Sequence, residues 1–103
     1  MTTARWYISG PMTGLPELNY PAFHSMASRL RAAGFEVENP AEINASETDR
    51  AVCMKRDIER LLTCDAVLLL PGWEASRGAL LEVQIAKELR LPLVELQPRR
   101  EAV

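Results

Sequence analysis

Ala66-Val67-Leu68-Leu69-Leu70-Pro71-Gly72-Trp73-Glu74-Ala75-Ser76-Arg77-Gly78-Ala79-Leu80-Leu81-Glu82-Val83-Gln84-Ile85-Ala86 is the stretch that decides the fold. Its opening run, 66–70, is apolar without a break. A strand with one wet face would alternate, so this run predicts a central parallel strand covered by helices on both faces. Pro71-Gly72 stops it. From Ser76 to about Arg90 the pattern turns to that of an amphipathic helix, with Ala79, Glu82, Ala86 and Leu89 on one face. Glu82 therefore fills an apolar slot, with only Gly78 and Ala86 one turn away on either side. An inward carboxylate costs on the order of several kcal/mol unless it is paired or hydrogen-bonded, which points to a chemical use.

Outward from this stretch, strands and helices alternate. Arg5-Trp6-Tyr7-Ile8-Ser9 predicts a first strand, stopped by Gly10-Pro11, and 12–19 a loop. Tyr20-Pro21 opens a helix whose buried face is Phe23, Met26, Ala27 and Leu30, and Gly34 ends it. Phe35-Glu36-Val37-Glu38 predicts a second strand, and 41–47 a polar loop. Ser46 or Thr48 is expected to cap a helix through about Thr63, with Ala51, Met54, Ile58, Leu61 and Leu62 as its apolar row. The segment 91–96 predicts the last strand. The order β-α-β-α-β-α-β implies a single-domain, flavodoxin- or Rossmann-like three-layer α/β sandwich with a mainly parallel sheet of about four strands. Residues 1–97 are assigned to that domain and 98–103 to a flexible tail. Ligands of such sheets bind beyond the carboxyl ends of the strands. The loops Ser9-Gly10-Pro11-Met12 and 71–76 are therefore expected to meet there.

A chain of 103 residues with 48% hydrophobic and 25% charged content is an ordinary globular domain. Net charge is −2, with no basic run in the folded part, which argues against duplex nucleic acid as a partner. No apolar run approaches the roughly 20 residues of a membrane span; a cytoplasmic protein is expected. Cys53 and Cys64 have no metal-ligand spacing and read as small hydrophobes in a reducing compartment. No cofactor and no metal are expected.

The remaining candidates each carry two readings. Asp57 lies on the row Cys53, Asp57, Leu61, Cys64, beside the apolar stripe: a boundary residue, or a second functional acid. Asp65 is expected to bond backbone. Tyr7 is a core aromatic, or a phenol that orients Glu82 or a substrate. Ser76 is an N-cap, and the helix start Ser76-Arg77-Gly78 is also a candidate phosphate site. Gly10 lets backbone approach a ligand, Met12 lines a base pocket or simply packs, and Trp73 caps the crevice or stacks on a base, or else is an interface or loop-packing aromatic. Trp6 and Trp73 are expected to be exposed; His24 reads as a surface or boundary histidine.

These residues resemble the nucleoside 2-deoxyribosyltransferase superfamily, in particular its short members of undescribed function and the 2′-deoxynucleoside 5′-phosphate N-hydrolases. The similarity spans 7–94. It rests on Tyr7-Ile8-Ser9-Gly10-Pro11, on Asp57 eight residues before Asp65, and on Glu82 followed four residues later by Ala86. The resemblance implies that Glu82 is the nucleophile at the anomeric carbon. It gives Asp57 the positioning of the sugar and the proton of the leaving base, and gives Tyr7 the holding of the nucleophile. Six residues before the nucleophile, transferases of free nucleosides tend to carry Asp and nucleotide hydrolases carry a phosphate-binding Ser; here it is Ser76. The chain departs from the pattern in having Leu80 where many members have Gly, and no Arg in the first loop. The implied function is an N-glycosidase or deoxyribosyltransferase acting on a small nucleoside or nucleotide, with a non-catalytic nucleotide sensor as the alternative. A homodimer or higher oligomer is implied as well.

Overall fold

In the computed structural model, which describes residues 3–96, four parallel strands form one sheet in the order β2-β1-β3-β4. The strands are β1 (Arg5–Ser9), β2 (Glu36–Glu38), β3 (Ala66–Leu69) and β4 (Leu93–Glu95). The register sets Tyr7 opposite Glu38 on one side and Val67 on the other. The predicted tail lies outside the described residues.

Helix α1 (Tyr20–Ala32) and the four-residue α2 (Pro40–Ile43) cover one face; α3 (Arg50–Leu61) and α4 (Arg77–Glu88) cover the other. Alternation along the strands divides the core accordingly. Ile8, Leu68 and Leu70 pack with Phe23, Met26 and Ala27, whereas Tyr7, Val67 and Leu69 pack with Leu61, Val83 and Ala86. β3 is buried along its whole length, as its unbroken apolar run requires. The strand order reverses its direction of growth between β1 and β3, which places a crevice at their carboxyl ends.

Several local expectations are corrected. The 41–47 loop begins inside a helix: Asn39 caps α2, its side chain accepting from the Ala41 N–H at 3.0 Å, and Pro40 takes the first turn. The cap of α3 is neither Ser46 nor Thr48 but Asp49, whose Oδ1 accepts from Ala51 N at 2.9 Å and Val52 N at 3.2 Å. A carboxylate there also meets the positive end of the helix dipole. α3 is rotated from its expected stripe: Asp57 and Leu61 are buried, while Ala51 and Leu62 are exposed. Leu89 is exposed, because α4 ends at Glu88 and Arg90 turns into the left-handed region with φ 57°. β2 and β4 are shorter than predicted. Phe35 lies outside β2 and packs edge-on against Trp6, ring centroids 5.9 Å apart, so Trp6 is half-buried rather than exposed.

Candidate active site

Glu82 is 5% exposed and lies where α4 crosses the end of β1. Side chains two apart on a strand share a face, so Tyr7 and Ser9 both point at it. Tyr7 Oη donates to Oε2 at 2.5 Å and Ser9 Oγ donates to Oε1 at 2.7 Å. Each carboxylate oxygen thus has one donor and one lone pair left. Burial raises the Glu82 pKa to about 7, against the lowering effect of the Tyr7 and Ser9 hydrogen bonds and with a further rise from Asp57. Burial, then the charges of Glu82 and Asp57, push the Tyr7 phenol well above its ordinary value, so it remains a donor.

Asp57, 8% exposed, comes from α3 on the same sheet face and opens on the same cleft as Glu82. Burial raises it to about 6, partly offset by a hydrogen bond from Asn44 Nδ2 to Oδ1 at 2.7 Å. The cleft has a volume of about 330 Å³, at the lower end of the roughly 300–1,000 Å³ of small-molecule sites. Its lining includes Ser9, Gly10, Ala79 and Glu82, with Met12, Leu18, Tyr20 and Phe23 as apolar members. Asn44, Thr48, Arg50, Met54 and Asp57 also line it, as do Ser76 and Gly78 at the start of α4. Leu18 sits in a run of left-handed residues, Glu17 (φ 52°), Leu18 (φ 53°) and Asn19 (φ 61°).

The two strand-end loops do meet: a Cβ at Gly72 would lie 3.4 Å from Pro11 Cγ, and φ 86° at Gly72 favours glycine. Ser76 caps α4, its Oγ accepting from Ala79 N at 3.2 Å. The N–H groups of Arg77 and Gly78 fall in the first turn and have no helical acceptor.

Of the residues singled out in the sequence, Glu82, Asp57, Ser9, Gly10, Met12, Ser76 and Gly78 line the cleft, with Tyr7 directly behind Glu82. Pro11, Arg77 and Trp73 do not line it. Trp73 packs on the α3–α4 side of the core and donates its indole N–H to Glu95 at 3.0 Å. Asp65 accepts from the Arg5 backbone N–H at 2.8 Å, and His24 is exposed on α1. Asn44 and Arg50 escaped sequence reading. The Asn39-Pro40 pair, a cap followed by an N1 proline, was the signal for the element that presents Asn44.

An α/β domain of doubly wound type, with two buried acids in a cleft at its switch point, is the class defined by this arrangement. The chain belongs to the family described as Domain of unknown function (DUF4406), whose model matches residues 4–95. Its fold is that of a 2-deoxyribosyltransferase from the psychrotolerant bacterium Bacillus psychrosaccharolyticus: the two superpose with a TM-score of 0.75 at 20% identity, over 97% of this chain and 77% of that one. No curated protein sequence matches the chain.

Proposed function

We propose that the chain is an N-glycosidase that cleaves the base–sugar bond of a (deoxy)nucleoside 5′-monophosphate through a covalent glycosyl-Glu82 intermediate. The observation that carries this reading is the double anchoring of a buried carboxylate, by Tyr7 and Ser9, in the lining of a cleft shared with a second buried acid. A carboxylate so held has little freedom to lose on reaching a near-attack position.

In the first step a Glu82 oxygen bonds to C1′ as the C1′–N bond breaks. The base leaves with that electron pair and takes a proton from Asp57. In the second step water attacks C1′, Asp57 takes its proton, and the sugar phosphate departs from a freed Glu82. A second base in place of water would make the same site a transferase. Burial raises both acids towards neutrality, Glu82 to about 7 and Asp57 to about 6, so each can gain or lose a proton near neutral pH, as acid–base work requires.

The phosphate is assigned to Ser76 and the first-turn N–H groups of α4. Arg50, exposed at the start of α3, is the one cation among the residues lining the cleft and is in no ion pair among the described residues. It supplies the positive charge that the first loop lacks.

The test is turnover of a panel of deoxynucleotides and deoxynucleosides, with calorimetry alongside. Release of free base by the wild type, abolished in a folded Glu82→Ala and slowed about a hundredfold or more in Asp57→Asn, is the expected result. Binding without base release would identify a sensor; retained turnover in Glu82→Ala would remove the nucleophile.

A further inference from the structure

The segment between β2 and α3 is built around one amide. Asn39, 1% exposed, caps α2; α2 ends on Asn44, whose backbone N–H bonds to Pro40 O at 3.0 Å. Asn44 is 5% exposed and lines the cleft. Its Nδ2 donates to Asp57 Oδ1 at 2.7 Å, the one hydrogen bond that the Asp57 carboxylate accepts among the described residues. Asn44 Oδ1 is buried and accepts none. A buried acceptor left unpaired is unfavourable, so nothing in the surrounding fold rewards this amide orientation except the bond to Asp57. The other Asp57 oxygen, Oδ2, has no protein partner and is not among the buried unpartnered atoms, so it keeps accessible surface in the cleft.

We propose that Asn44 is a positioning residue for Asp57: it ties down Oδ1, and thereby selects Oδ2 as the oxygen that exchanges a proton with the leaving base. The inference rests on the acid–base role proposed above for Asp57 and adds the group that aims it. Glu82 on α4, Tyr7 on β1 and Cys53 one turn back on α3 also face Asp57, with Glu47 and Arg50 on the same cleft; none of them hydrogen-bonds it. Among the described residues, Asn44 is thus the only donor acting against desolvation. A donor to the ionised form favours ionisation, so its loss leaves Asp57 protonated to higher pH.

The test has one arm that needs no substrate. In ligand-free wild-type protein the Asn44 side-chain amide resonances titrate together with the Asp57 carboxyl carbon, at one midpoint. In Asn44→Leu, which fills the space without a donor, and in Asn44→Ala, the Asp57 midpoint rises by on the order of one pH unit. In the second arm kcat falls about tenfold or more, KM changes little, and the pH–rate limb moves with the midpoint. A merely structural Asn44 would lower the melting temperature and leave the midpoint and the kcat-to-KM split untouched. That outcome, or wild-type Asn44 resonances that ignore the Asp57 titration, overturns the proposal. The wild-type measurement decides even if neither variant folds. An absence of base release by the wild type would count against the glycosidase reading alone.

Discussion

Tyr7 and Glu82 stand 75 positions apart in the chain and meet through a 2.5 Å hydrogen bond between the middle of β1 and the middle of α4. The bond joins the sheet to the helix and holds the acid by its Oε2. Removing it with Tyr7→Phe takes away a group that lowers the pKa of Glu82. The pH–rate limb assigned to Glu82 is therefore expected to move upward, with kcat reduced roughly tenfold at neutral pH. Steady-state kinetics across pH 5 to 9 would check both.

Stability should fall as pH rises. The Glu82 pKa is about 7 in the fold against an ordinary 4.5, so the native state binds the proton more tightly than the unfolded chain. The associated stability is fully present below about 4.5 and is lost as pH rises through about 7. The gap amounts to about 3 kcal/mol. Asp57, raised in the same direction, acts in a lower window. Denaturant melts at pH 5 and pH 8 should differ in this sense, and Glu82→Gln, which stays neutral, should remove most of the difference.

Ser76 and Arg50 are expected to separate. Ser76→Ala loses a helix cap and should cost about 1 kcal/mol as well as raise KM for a nucleotide. Arg50 is exposed, so Arg50→Ala should leave the melting temperature in place and raise KM about tenfold for the 5′-phosphate and not for the nucleoside. Equal effects on both substrates would place the phosphate elsewhere.

Gly10→Ala tests the packing behind the site. An added Cβ would sit 2.8 Å from Leu70 Cβ, a clash that only backbone movement relieves. A loss of about 1–3 kcal/mol is expected, accompanied by lower activity because Ser9, the donor to Glu82, is the adjacent residue.

The layered α/β fold was legible because its signals are local and redundant: an unbroken apolar run at 66–70, helical spacing at Phe23, Met26 and Ala27, and glycine or proline at the breaks. Glu82 was legible for the opposite reason, as a charge in an apolar slot. The helix at 40–43 was not, because four residues are too few to show a 3.6-residue period. The rotation of α3 was not either. Its apolar row and its actual inner face differ by one step around the helix, and only contact with the sheet and α4 decides between them. Trp73 was ambiguous because its partner, Glu95, lies on β4, 22 positions along the chain, a separation no local pattern records.

The two acids hang from separate parts of the scaffold. Among the described residues, the Glu82 carboxylate is fastened only to β1, by Tyr7 and Ser9, and that of Asp57 only to the residue that follows α2. Under the proposed mechanism, insertions or substitutions between residues 39 and 49 would therefore retune proton delivery, and with it the range of departing groups, while the carboxylate assigned to bond formation stays where it is. Descent with modification has a free parameter here, and so does a protein engineer.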